Sequence, residues 1–203
     1  PLEIAPSPAS ITLDLPWMLK VGGRLRLHRD GREVADVELD ATYETWGTAQ
    51  GTGPRLRVES AGPFGAVEST VLHRYKDTFG VRLGTAYNAP LGDTTLTLRG
   101  GGFYDSSATE PEYTRIDFDT LEKVGLTLGA GLRAGAVTVQ VAYAFVSSLP
   151  REVTRGFVRP INPAQGGRPE DASGAPLPAV NTGLYRGTTH VLSVGVQVTF
   201  GGR

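Results

Sequence analysis

The feature that most constrains this chain is an alternation of apolar and polar residues with a period of two, sustained over segments of roughly 9–13 residues. From Ile11 the odd positions read Ile11, Leu13, Leu15, Trp17, Leu19, Val21, Gly23, Leu25 and Leu27. The even positions between them read Thr12, Asp14, Pro16, Met18, Lys20, Gly22, Arg24, Arg26 and His28. Successive side chains of an extended strand point to opposite faces, so this spacing predicts a strand with one greasy face and one polar face. Asp30-Gly31 predicts a tight turn. Ala35, Val37, Leu39, Ala41 and Tyr43 then alternate with Asp36, Glu38, Asp40, Thr42 and Glu44. Beyond Trp46 lies a Gly-rich stretch, and Arg55 to Glu59 reads as the same strand resuming after a bulge.

The pattern repeats to the end of the chain. A third strand is expected from about Val71 to Tyr87, with Tyr75, Phe79, Val81, Leu83 and Tyr87 opposite Lys76, Thr78, Gly80, Arg82, Gly84 and Ala86. A turn at Pro90–Asp93 leads to Leu96, Leu98 and Tyr104 opposite Thr95, Thr97, Arg99 and Gly101. Val124 to Arg133 and Val137 to Phe145 form a pair about Ala134-Gly135, and Leu192 to Phe200 closes the series. Helical periodicity is nearly absent. About seven long strands are expected, joined alternately by short turns and long loops, the latter at Asp105–Thr120 and Ser147–Gly187. The Pro and Gly content of the second loop suggests mobility.

Soluble strands usually run about 5–6 residues, whereas a tilted strand needs about 9–11 to cross the hydrocarbon of a bilayer. Three further features favour a membrane barrel over a β-sandwich. The polar face is rich in Gly, Ala, Thr and Ser, as a curved lumen wall would be. Short turns alternate with long loops. Aromatics gather near strand ends, at Trp17, Tyr43, Trp46, Tyr75, Tyr87, Tyr104, Tyr143, Phe145 and Phe200, where interfacial girdles lie. The expected fold class is therefore an all-β, transmembrane antiparallel β-barrel.

Composition narrows the chemistry. Gly accounts for 27 of 203 residues and hydrophobic residues for only 39%, against a usual Gly share of about 7%. With no Cys, a disulfide scaffold, a thiolate zinc site and a Cys nucleophile are excluded. The net charge of -1 offers no basic field for nucleic acid. His28, His73 and His190 fall on separate segments without metal-ligand spacing, and His73 with Ser69 or Asp77 is the one local combination resembling a hydrolase site. Gly100-Gly101-Gly102 sits within a strand with no helix after it, so it is no phosphate loop. No catalytic, metal or cofactor residue is expected, and the chain reads as a non-enzyme.

Several motifs, in order, resemble the outer-membrane long-chain fatty acid transporter (FadL) family, which includes hydrocarbon channels. The most telling is Tyr75-Lys76-Asp77-Thr78-Phe79-Gly80-Val81-Arg82-Leu83-Gly84-Thr85-Ala86-Tyr87, similar to the family's Lys-Asp-aromatic strand. Leu96-Thr97-Leu98-Arg99-Gly100-Gly101, Tyr104-Asp105-Ser106-Ser107, Asn181-Thr182-Gly183-Leu184-Tyr185 and Ile11-Thr12-Leu13-Asp14-Leu15-Pro16 add to it. The family barrel has fourteen strands around an N-terminal hatch. The resemblance implies that residues 1–203 are the C-terminal half of such a barrel, the hatch and first strands being absent. The start at Pro1 fits a processed N-terminus or a piece of a longer protein.

The resemblance implies passive transport of hydrophobic small molecules, fatty acids or hydrocarbons, across the bacterial outer membrane. It implies lipid and lipopolysaccharide as surroundings, and a monomer. The last strand resembles the signal read by the barrel-assembly machinery, with Phe200 on the periplasmic side; the trailing Gly201-Gly202-Arg203 departs from that pattern. The loops at Ser147–Gly187, Asp105–Thr120 and Ala61-Gly62-Pro63 would then be extracellular. A fatty acid needs an apolar bed and one cation for its carboxylate, and Lys76, Arg82 or Arg99 could supply it. Lys20, Arg24 and Arg26 facing Asp36, Glu38, Asp40 and Glu44 read instead as a cross-strand ladder. Two other functions compete: a structural or adhesive barrel without transport, and a soluble β-sandwich binding module.

Overall fold

The computed structural model describes residues 9–12, 15–50, 55–62, 65–72, 74–116, 121–160, 162–165 and 168–200. Within these the chain is all-β. Its elements are β1 (Ala9–Thr12), β2 (Met18–Arg29), β3 (Arg32–Glu44), a short helix α1 (Trp46–Gln50), β4 (Arg55–Gly62), β5 (Gly65–Leu72), β6 (Thr78–Leu91), β7 (Thr94–Asp105), β8 (Lys123–Ala134), β9 (Val137–Ser148), β10 (Arg151–Val153), β11 (Gly183–Tyr185) and β12 (Thr188–Val198). Single 3-10 turns lie at Pro111–Tyr113 and Pro163–Gln165.

Seven strands make one antiparallel sheet in the order β2-β3-β6-β7-β8-β9-β12. It is a meander, each strand pairing with the next long one in sequence. Three tight turns sit at one end. Asp30 and Gly31 both adopt left-handed φ values, 51° and 73°, the conformation of a type I′ hairpin, whose twist matches that of the strands. At the other two turns Gly92 (φ 63°) and Gly135 (φ 56°) take the left-handed position. The three long connections, 45–77, 106–122 and 149–187, are all at the opposite end. The sheet is open, with β2 and β12 as its edges.

The register sorts side chains as the alternation predicts. One row across the sheet reads Gly23, Leu39, Leu83, Gly102, Leu126, Phe145 and His190. Another reads Val21, Ala41, Val81, Tyr104, Val124 and Ser147. This face has no cover: Leu126 is 67% exposed, Leu192 72% and Val194 68%. Among the described residues Val153 is the one hydrophobic side chain that is fully buried. Removing apolar surface from water stabilises a fold by about 25 cal/mol per Å², and this sheet gains almost none of that from its own packing. Stability requires an apolar medium or partner against that face. In a sandwich the same face would pack on a second sheet.

Three boundaries differ from the sequence reading. The first expected strand is split, β2 beginning only at Met18 after Pro16, while Ile11 on β1 pairs with Val58 on β4; Leu13 and Asp14 lie outside the described residues. The segment Arg55–Glu59 is not a resumption of β3. It belongs to β4, within a separate sheet of order β1-β4-β5, because non-local pairing gives its backbone groups other partners. The third strand does not run from Val71: Val71 ends on β5, and β6 starts at Thr78. Arg74 between them has φ 50°, a left-handed conformation that interrupts an extended run.

Candidate functional site

The polar face of the seven-stranded sheet is concave. A cavity of about 610 Å³ is bounded by residues from every strand, from Arg24 on β2 to Ser193 on β12, which requires the sheet to curl toward its polar side. A second cavity of about 600 Å³ continues toward the long connections, past Lys20, Asp40, Glu44, Arg82 and Ser106.

The trough has two unlike walls. On β2 and β3, Arg24 pairs with Asp36 at 2.7 Å and with Glu33 at 2.8 Å, and Arg26 lies 3.7 Å from Glu33. Since Arg24 faces Glu38 and Arg26 faces Asp36 in the register, the Arg24–Asp36 pair runs diagonally across the strands. Of the cross-strand ladder read from the sequence, Arg24–Asp36 is the one ion pair seen among the described residues, and Glu33, outside that reading, is the other partner of Arg24 and the partner of Arg26. Glu38 and Asp40 form no ion pair among the described residues. Of the β7–β12 residues that line the larger cavity, Arg99 is the one charged side chain among the described residues, beside Phe103, Gly101, Thr127, Ala142, Ala144 and Ser193. The Phe103 ring lies against Gly125, where any Cβ would overlap it.

The three cations proposed from sequence fall in different places. Arg82 lines both cavities and donates to both carboxylate oxygens of Asp105, at 3.0 and 3.3 Å, with its guanidinium 5.8 Å from the centre of the Phe103 ring. It is a neutralised cation. Arg99 lines the larger cavity and forms no ion pair among the described residues. Its register neighbours are Ala86 and Gly129, too small to cover it. Lys76 is exposed in the segment before β6, where its backbone N–H donates to the Ala108 carbonyl at 2.9 Å, and it lines neither cavity. Asp77 beside it accepts from the Tyr43 hydroxyl at 2.5 Å and from the Gly47 N–H at 2.8 Å, so it ties α1 and β3 to the start of β6.

Other chemistry is thin. Among the described residues no group of three His, Cys, Asp or Glu could hold a metal ion. His190 Nδ1 lies 2.6 Å from the Tyr143 hydroxyl on the apolar face. His73 and the side chain of Ser69 lie outside the described residues.

The sequence did not reveal the cluster of buried polar residues that two long connections form among the described residues. Asn181, 3% exposed, donates to the carbonyls of Glu112 at 2.8 Å and Thr114 at 3.0 Å, and accepts from the Val158 N–H at 3.1 Å. Arg151 donates to Thr114 Oγ1 at 3.1 Å and to Ser107 Oγ; burial lowers its pKa from the ordinary guanidinium value. The Tyr113 and Phe157 rings pack with centres 5.6 Å apart. The 149–187 connection is thus folded onto 106–116 and carries the β10–β11 pair, where the Pro and Gly content had suggested mobility. The one advance signal was Asn181, within a motif already singled out.

A scan against protein-family models and a search of curated proteins find no match for this chain.

Proposed function

We propose that the seven-stranded sheet is part of the wall of an outer-membrane β-barrel that passes hydrophobic small molecules, long-chain fatty acids or hydrocarbons, without cofactor or bond chemistry. The observation that carries this reading is the pairing of a bare apolar face with a concave polar trough. Lipid would cover the first and the trough would line the lumen. The strands, from 11 residues in β12 to 14 in β6, are long enough to cross about 30 Å of hydrocarbon when tilted. Unpaired edges do not persist in lipid, so β2 and β12 must be joined there by further strands to close the wall.

The two walls of the trough suit an amphiphile. The β7–β12 side offers Phe103, Ala142 and Ala144 to an alkyl chain. Arg99 at the boundary offers a cation that pairs with no carboxylate among the described residues, while Arg82 is held by Asp105. A hydrogen bond to a charged group contributes about 1.5–3 kcal/mol, so an Arg99-bound carboxylate is worth about a tenfold or greater preference over an uncharged chain.

The test is uptake of labelled oleate and labelled hexadecane by cells carrying the protein or its Arg99→Gln variant. The expected result is uptake of both by the parent, with the oleate KM raised about tenfold in the variant and hexadecane unchanged. Uptake no greater than in cells lacking the protein would overturn transport. If the protein nonetheless sits folded in the outer membrane, a structural barrel is what remains.

A further inference from the structure

The Arg82–Asp105 pair sits where the two cavities of the trough meet, since Arg82 lines both. In the register Asp105 faces Gly80, not Arg82. Its carboxylate lies over that glycine, where any Cβ would overlap Oδ1. From there both oxygens accept from Arg82, at 3.0 and 3.3 Å. Phe103, the register partner of Arg82 on β7, lies beside the guanidinium with its ring centre 5.8 Å away. Asp40 on β3 faces Arg82 as well but makes no ion pair among the described residues, and Lys123 flanks Asp105 from β8. The carboxylate that Arg82 holds is thus one supplied by the protein itself.

Arg99 lies four residues from Phe103 on the same face of β7. At a rise of about 3.3 Å per residue, the two arginines are ~13 Å apart along the strands. Between them the floor of the trough is low. Gly101 lies level with Gly84 and Thr127, and a Cβ on Gly84 would meet no described atom within 4 Å. An alkyl chain fits along this stretch with a carboxylate on Arg99. A second carboxylate at its far end would meet a guanidinium already filled by Asp105, with Asp40 adding like charge. An ion taken from water without a partner is strongly disfavoured, so a second charged end is rejected where an apolar end is not.

We propose that Asp105 sets a preference of the trough for amphiphiles with one charged end: it occupies Arg82 in place of a ligand carboxylate and so closes a second anion subsite. The proposal rests on the reading of the trough as the path of a fatty acid anchored at Arg99.

The test is binding of dodecanoate and dodecanedioate to the purified protein in a non-ionic detergent, by titration calorimetry with protein-free micelles as the baseline. The parent is expected to bind dodecanoate at least about tenfold more tightly than dodecanedioate. In Asp105→Asn, similar in shape but uncharged, the ratio of the two affinities should fall about tenfold, because Arg82 then takes the second carboxylate. Asp105→Glu should keep the preference, and adding Arg82→Gln to Asp105→Asn should restore it. Equal affinity of the parent for the two ligands overturns the proposal without reference to any variant. So does an Asp105→Asn protein that binds both ligands more weakly in the same ratio, which would make Asp105 a structural residue alone. Dodecanoate binding with an unchanged ratio sinks this inference and leaves the fatty-acid reading in place. A parent that binds neither ligand sinks both.

Discussion

Replacing Leu128 by Arg separates a lipid-facing surface from a water-facing one. Leu128 lies on the apolar face of β8, 66% exposed, between Gly100 of β7 and Tyr143 of β9. At a rise of about 3.3 Å per residue and a tilt of about 40°, the stretch from Lys123 to Leu128 covers ~13 Å along the membrane normal. That is about half of the ~25 Å apolar band of a barrel, so Leu128 would sit near the midplane. An Arg there costs about 2–4 kcal/mol, which lowers the folding equilibrium ~30- to ~900-fold. The same substitution on a water-facing strand stays within about 0.5 kcal/mol. Thr127→Arg, one residue along and on the trough side, is the matched control and should change little. The assay is urea unfolding of the protein in phospholipid vesicles, followed by Trp17 and Trp46 fluorescence. A Leu128→Arg variant within about 0.5 kcal/mol of the parent would refute the assignment of that face to lipid.

Three further outcomes are expected. Asn181→Ala removes a buried group that bridges two connections through bonds to Glu112 and Thr114; at about 1–3 kcal/mol for the orphaned backbone groups, limited proteolysis within 149–187 should accelerate about fivefold or more, while the boiling shift of the sheet persists. Asp171 accepts from the Ser173 hydroxyl and from the Ser173 and Ala175 N–H groups, and these bonds hold its pKa below the usual carboxylate value. Because the folded pKa is depressed, the turn's contribution is present above the unfolded value and is lost as pH falls through the folded one; the Ser173 and Ala175 amide resonances should therefore move only below the ordinary Asp range, and a midpoint at or above it would count against these bonds. Gly125→Ala places a methyl group where the Phe103 ring lies, so it should destabilise the protein by about 1–3 kcal/mol, and Phe103→Ala in the same chain should relieve most of the added strain.

How much of this was legible in the sequence depends on how local each feature is. The faces of β6, β8 and β12 were readable residue by residue, because period two is a property of one strand and Asp30-Gly31 names its own turn. The separate sheet was not, because Ile11 opposite Val58 is a non-local pairing that alternation does not specify. The break before β6 was hidden because Arg74, unlike Gly or Asn, carries no sequence sign of a left-handed conformation. In the sequence, Lys76, Arg82 and Arg99 looked alike as cations at the polar positions of their strands. What distinguishes them is the neighbouring strand: Asp105 reaches Arg82, whereas Ala86 and Gly129 leave Arg99 open. Asn181 was visible as a motif residue, but its role depends on carbonyls 69 and 67 positions away.

Whether the apolar face belongs in the outer membrane is decided by fractionating cells that express the protein and running the membrane fraction on a gel with and without boiling. A detergent-dependent outer-membrane band whose mobility shifts on boiling is expected. A water-soluble product with no shift would contradict it, and the β-sandwich binding module would take its place.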